Sequence, residues 1–400
     1  PPLSIDRRQR QMCIRDRPGA TRRGLIRPVD EAMNGGKDKA DIPDLNRLRE
    51  QIDAVDEQIQ VLISDRARLA QQVAVAKGDG TAIDYYRPER EAQVLRSVVE
   101  RNDGPLSSEE ITRLFREIMS ACLAQEEPLK IGYLGPEGTF SQSAVYKHLG
   151  HSVRALPLAT INEVFHEVES GAADFGVVPI ENSTAGSVSH TLDNFLTSPL
   201  KICGEVELRI RQHLLGNLES LDKVTRVCAH PQSLAQCRAW LREYLPDAEQ
   251  IEVSSNAEGA RRARDEAGTA AIAGDAAAEV YRLDKMVADI EDRPDNTTRF
   301  LVIGRDLIAA SGDDKTTLML STADTDDAGA LHRLLEPLAK HGVNMTRIES
   351  RPSRRRKWHY VFFMDIDGHA EDEQVVEALA GLEQRAQLFR VLGSYPKAIL

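Results

Sequence analysis

The sequence predicts a multidomain protein: an all-α module, then an α/β module, then a small α+β module of ferredoxin-like order. Three observations predict it. The chain has 400 residues, more than one hydrophobic core usually serves. A helical period dominates from Asp44 but gives way after Pro128 to short apolar runs alternating with helical stretches. The last segment, about 85 residues long, reads βαββαβ.

The first helix is read from Leu45, Leu48, Ile52, Val55, Ile59, Leu62, Ile63, Leu69 and Val73, which recur at steps of three and four until Gly78-Asp79-Gly80 stops the run. Roughly 30 residues at 1.5 Å each give about 45 Å. A second helix is expected over 88–101. A third begins at the capping signal Ser107-Ser108-Glu109-Glu110 and runs to about 126. Strands are expected at 130–134, 175–180, 225–229, 270–273 and 299–304, with helices such as 256–267 between them. A polar linker at 311–315 opens the last module: strand 316–321, helix 328–341, strands 343–350 and 359–366, helix 373–384 and strand 386–394.

Composition narrows the function. Hydrophobic residues make up 41% and charged ones 28%, ordinary for a globular chain, and the formal net charge is -12. An acidic chain is a poor nucleic-acid binder, so the basic run 354–357 reads as a solvated hairpin loop. The five cysteines are scattered without C-x-x-C spacing, which argues against a disulfide framework or zinc site. No apolar run approaches the roughly 18 residues of a membrane span, and no secretory core is visible. Together these predict a cytoplasmic protein with no membrane partner. The Arg-rich residues 1–39 read as a disordered or spurious leader, the alternative being a basic arm or transit peptide; Met33 is a candidate start.

Arg49, Arg66 and Lys77 lie on the first helix, where solvated surface charge is the ordinary reading. Arg49 and Arg66 are about 25 Å apart along the axis and roughly 100° out of phase, so one straight helix cannot bring both to one small ligand. The segments LREQIDAVDEQIQVLISDRARLAQQVAVAK, YRPEREAQVL and ITRLFREIMSACLAQE resemble the all-helical chorismate mutase family over nearly all of residues 44–126. The resemblance implies that two protomers pair through their long helices and share each active site, which accommodates that separation. It also implies that Arg49 and Arg66 grip the substrate carboxylates and Lys77 meets the ether oxygen. Arg90 and Glu91 match the family's Arg-Glu pair, Glu91 holding the ring hydroxyl. Cys122 and Glu126 would line the ether-oxygen side. Some relatives carry Asp near 87 and Ser near 122, where this chain has Arg87 and Cys122. The rearrangement of chorismate to prephenate needs no nucleophile, metal or cofactor, only a held conformer and a donor to the breaking C–O bond.

Gly132, Gly135 and Gly138 do not have the G-x-G-x-x-G spacing of a dinucleotide site; they mark a strand-to-helix turn suited to a small anion. More specific are LGPEGTFS at 134–141, VVPIENSTAGSV at 177–188, AHPQSLAQC at 229–237 and NTTRF at 296–300, which resemble the prephenate dehydratase family. The resemblance implies two α/β lobes, like periplasmic binding proteins, with substrate between them. It implies Thr298 as donor to the departing hydroxyl and Arg299, beside Phe300, as carboxylate anchor. Glu181, Asn182, Ser183 and Gln232 would make polar contacts, and Thr139 and Ser141 would present a helix N-terminus.

Residues 315–395 resemble an ACT domain of the phenylalanine-binding kind, with Gly329-Ala330-Leu331 and Glu349-Ser350-Arg351-Pro352 as its ligand motifs. The expected organisation is therefore leader 1–39, mutase 40–128, dehydratase 129–306 and regulatory domain 313–396. The whole would be a cofactor-free homodimer or larger homo-oligomer that turns chorismate into phenylpyruvate under phenylalanine inhibition. The rivals are a non-catalytic sensor and an enzyme whose mutase half has decayed.

Overall fold

The computed structural model describes residues 44–77, 86–125, 127–322, 328–353 and 360–399, without the side chains of Ala74 and Lys77. The chain divides into two compact units, 1–58 and 59–400. The described part of the first unit is the start of helix α1 (Leu45–Lys77), where Leu48, Ile52 and Val55 are all exposed.

In the second unit α1 continues with Leu62, Leu69 and Val73 exposed. Helices α2 (Pro88–Glu100) and α3 (Ser108–Leu123) follow. The Ser107 hydroxyl accepts from the Glu110 N–H, as the capping signal predicts.

Two lobes come next. The first has a sheet of order β2-β1-β3-β11-β5, with β4 paired to β3, where β1 is Lys130–Leu134, β2 Arg154–Leu158, β3 Phe175–Asn182, β4 Gly186–Ser187, β5 Lys201–Arg209 and β11 Thr297–Gly304. Helices α4 (Phe140–Leu149), α5 (Ile161–Ser170) and α6 (Ser189–Phe195) belong to this lobe. The second sheet runs β10-β6-β9-β7-β8: β6 is His213–Leu215, β7 Arg226–Ala229, β8 Glu249–Glu252, β9 Thr269–Ala273 and β10 Lys285–Val287. Its helices are α7 (Pro231–Gln236), α8 (Arg238–Tyr244), α9 (Asn256–Asp265) and α10 (Asp275–Tyr281). The chain crosses between lobes before β6 and again before β11. The two crossings are tied where the Ile210 N–H donates to the Asn296 carbonyl.

The last module has the antiparallel order β13-β14-β12-β15, with β12 Asp314–Thr322, β13 Met345–Pro352, β14 Tyr360–Asp367 and β15 Ala386–Pro396. Helices α11 (Ala330–Lys340) and α12 (Glu373–Arg385) cover one face. The other face packs on the first lobe: Met319, Phe363, Leu392 and Tyr395 share one apolar cluster with Ile180, Leu192, Phe195, Ile202 and Leu301. Gly393 permits the approach, since a Cβ there would collide with the backbone of Ile202.

The residues expected to form a polar linker are instead a packed corner. Asp314 accepts from the Ser311 and Gly312 N–H groups, and Arg96 of α2 donates to the Ser311 carbonyl, the Ser311 hydroxyl and the Asp313 carbonyl. Strand β5, with Gly204 and the buried Glu205, had no sequence expectation behind it. The leader, Glu126 and the basic run 354–357 lie outside the described residues.

Candidate active sites

Between the two lobes lies a cleft of about 730 Å³. Thr139, Ser141, Asn182, Gln232, Thr298 and Phe300 all line it. Strand alternation turns Thr298 and Phe300 of β11 toward the cleft and Arg299 to the opposite face. Across the sheet, pairing steps from Arg299 opposite Glu181 to Phe300 opposite Pro179, so Ile180 is an extra residue in β3. This bulge breaks the alternation: Pro179 and Asn182 reach the cleft, while Glu181 turns away with Arg299.

Asn182 organises the cleft floor. Its Nδ2 donates to Thr298 Oγ1 at 2.8 Å and to Asn296 Oδ1 at 2.9 Å. Its Oδ1 accepts from the N–H groups of Thr184 and Ala185, which fixes the amide orientation. Because Thr298 accepts from Asn182, its own hydroxyl proton is left for a partner in the cleft.

The expected anchor, Arg299, is not in the cleft. Its guanidinium is bonded to Glu205, Asp365 and Tyr395, and only 12% of the side chain is exposed. Burial alone would lower its pKa, but Tyr395, Asp365 and Glu205 outweigh this and raise it. Glu181 also points elsewhere, to Arg347 at 2.9 Å. Ser183 is exposed and accepts from the Thr297 N–H instead of lining the cleft. Among the described residues no arginine or lysine lines this cleft. Helix N-termini converge there instead: Thr139 precedes α4, His230 and Gln232 begin α7, and Ser255 caps α9. The first-turn N–H groups of α4 and α9 suit a dianion, whereas those of α7 are already taken by the His230 ring and carbonyl.

Sequence reasoning missed Gln212, Ser233 and Asn256. Gln212 is 1% exposed, donates to Ser233 Oγ and Gln236 Oε1, and has an unpartnered Oε1 beside the cleft. The signal available was a polar residue flanking the apolar run of β6.

A second cavity, of about 590 Å³, lies among the helices. Arg66, Arg87, Arg90, Glu91 and Cys122 line it together, with Tyr86, Gln125 and Leu129. Burial raises the Glu91 pKa to about 7 despite Arg116, Tyr86 and Arg66, which pull it down. Arg116, 3.9 Å from Glu91, is buried and was not anticipated. Arg49 belongs to the first unit; the Lys77 side chain and Glu126 lie outside the described residues.

In the C-terminal module Gly329 has φ +80° and precedes α11, whose first residues are Ala330 and Leu331. Strands β12 and β13 each pair antiparallel with β14, so both end on the side where α11 begins. Ser350 and Pro352 are exposed there, whereas Glu349 and Arg351 contact the first lobe.

Comparison with known proteins matches these modules in order. A chorismate mutase type II model matches residues 48–127, a prephenate dehydratase model 131–307 and an ACT domain model 320–384. The bifunctional chorismate mutase/prephenate dehydratase of Pseudomonas aeruginosa is 54% identical over 366 residues, covering 90% of this chain and all of that protein. A prephenate dehydratase of a Mycobacterium species is 37% identical over 281 residues, 67% of this chain and 89% of that protein. The crystal structure of prephenate dehydratase from Arthrobacter aurescens in complex with L-Phe superposes with a TM-score of 0.63 at 38% identity, covering 68% of this chain and 90% of that one. With three modules matched in sequence order and a bifunctional relative aligned along its whole length, the chain belongs to the bifunctional chorismate mutase/prephenate dehydratase family.

Proposed function

We propose that the chain rearranges chorismate to prephenate in the helical cavity, converts prephenate to phenylpyruvate in the interlobe cleft, and is inhibited by phenylalanine bound to its C-terminal module. The observation that carries this is the separation of the two candidate sites: Thr139, Ser141, Asn182, Gln232, Thr298 and Phe300 line one cavity, and Arg66, Arg87, Arg90, Glu91 and Cys122 line another.

In the helical cavity Arg66, Arg87 and Arg90 supply cations for the two carboxylates, and Glu91 takes the ring hydroxyl. Lys77 and Glu126 complete the ether-oxygen side in this reading, and Arg49 comes from a second protomer. The apolar residues exposed along α1 support pairing with a second copy. In the cleft the carboxylates of prephenate meet helix N-termini. The ring carboxylate leaves as CO2 and its bonding electrons enter the ring. The C–O bond on the opposite carbon breaks, and the departing hydroxide, hydrogen-bonded by Thr298, takes up a proton and leaves as water. Aromatisation supplies the driving force, which is why a hydroxyl of ordinary acidity suffices. Biosynthesis from cytoplasmic chorismate fits free buried cysteines at 122, 203, 228 and 237.

Two variants test the assignment. Thr298→Ala should lower dehydratase kcat by about 100-fold or more with mutase turnover intact, and Arg66→Ala should do the reverse. Loss of both activities from either folded variant would overturn the two-site reading.

A further inference from the structure

Strand β13 has two faces with different partners. Thr346, Ile348, Ser350 and Pro352 are exposed. The alternate side chains Arg347, Glu349 and Arg351 reach the first lobe: Arg347 Nε pairs with Glu181 at 2.9 Å, and Arg347 Nη2 donates to Ser187 Oγ at 3.3 Å. Ser187 Oγ in turn donates to Glu349 Oε2 at 2.9 Å, and Arg351 bonds Ser189 and Asp193. Glu181 and Ser187 lie opposite one another at the base of the β3–β4 hairpin. The next pair inward is Asn182 opposite Gly186. Asn182 is the residue that holds Thr298 and the turn at Thr184 and Ala185. The hairpin is therefore gripped at its base by the C-terminal module and, one residue on, grips the cleft.

We propose that Arg347 is a positioning residue for the dehydratase reaction: by clamping Glu181 and Ser187 it sets the place of Asn182 and hence the direction of the Thr298 hydroxyl. The bulge at Ile180 is what makes this possible, because it turns Glu181 toward β13 while Asn182 stays in the cleft. The consequence for regulation rests on the phenylalanine-sensing reading above. An aromatic amino acid seated against Ser350 and Pro352 contacts the outer face of the strand whose inner face holds the hairpin. A shift of β13 then reaches Thr298 through Arg347, Glu181 and Asn182, each linked to the next by a bond or a peptide unit. Inhibition of this kind needs no change in the rest of the cleft, only a ligand that prefers the displaced strand.

The test uses the full chain. Arg347→Ala should lower dehydratase kcat about tenfold with KM for prephenate within about twofold, since a small misplacement near the reacting group acts on turnover rather than binding. The reciprocal pair Arg347→Glu with Glu181→Arg should recover most of that loss. Mutase turnover and the melting curve report folding, and Ser187→Ala, a milder break in the same clamp, should show the same split to a smaller degree. Calorimetry should still detect phenylalanine binding to Arg347→Ala, while its residual dehydratase activity no longer responds to the ligand. Unchanged kcat in folded Arg347→Ala overturns the proposal. So does a KM that rises with kcat intact, which would put Glu181 on the substrate. Wild-type enzyme that neither binds nor responds to phenylalanine would refute the sensing reading alone; the kcat split would still decide the role of Arg347.

Discussion

Replacing Arg299 separates two accounts of that residue. The family resemblance implied a substrate anchor; the structure puts it in a buried cluster between the first lobe and the C-terminal sheet. Consider Arg299→Met. Glu205 keeps Lys315, at 2.9 Å from both its oxygens. Among the described residues Asp365 keeps only the Thr317 hydroxyl, at 2.7 Å, and its side chain is 2% exposed. The variant thus leaves one carboxylate buried without a cation, which typically costs about 3–5 kcal/mol. Removing that carboxylate as well, in Arg299→Met with Asp365→Leu, should return much of the stability, because an apolar pair replaces an ionic one. Denaturant unfolding of the three proteins measures both steps. In the fraction that stays folded, KM for prephenate should remain within about threefold of wild type, as no anchor has been lost. A substrate anchor behaves oppositely: losing about 3 kcal/mol of binding costs roughly 100-fold in kcat/KM with little change in stability. That second pattern would refute the placement of Arg299 in the interface.

Three further outcomes follow from other sites. Asn182→Ala should lower dehydratase kcat by about tenfold or more, through loss of the bond that orients Thr298, and steady-state kinetics with prephenate check it. His148 is half-buried, and desolvation of its ring, helped by the Arg116 charge, depresses its pKa to about 3. A depressed histidine contributes stability that is present above its unfolded value near 6.5 and lost as pH falls, by at most about 2 kcal/mol at pH 5. His148→Gln should therefore lose less stability than wild type between pH 7.5 and pH 5, and equal losses in urea titrations would count against the argument. Replacing Ser350 by Trp should abolish calorimetric phenylalanine binding. Deleting residues 312–400 is a poorer test, since it would strip the cover from Ile180, Leu192, Phe195 and Leu301.

Much of this architecture was legible in the chain because the helical period of α1 and the βαββαβ order depend on local pattern. What escaped was long-range. Strand β5 carries Glu205 and Glu207 in KICGEVELR, which reads as surface until Arg299 and Lys315 arrive from distant segments to neutralise Glu205. The direction of Arg299 was in principle readable: with Thr298 and Phe300 facing a cleft, a period of two turns the residue between them away. Glu181 was not readable, since only the pairing of β3 with β11 reveals the bulge. Nor could the sequence replace the expected cationic anchor with helix N-termini, because their convergence depends on how two sheets face each other.

The arginine that fastens 311–313 also bears on how such a chain can be cut into separate enzymes. Arg96 belongs to the mutase helices, yet its three bonds close the seam between dehydratase and C-terminal module. A fragment beginning at 128 loses that arginine and returns the Ser311 carbonyl to water, while the Asp313 carbonyl keeps the Lys397 N–H. Division into monofunctional parts is therefore not a simple excision: the dehydratase half needs a new partner for its seam, from a local substitution or a different corner. The mutase half acts, in part, as a fastening for an activity it does not perform.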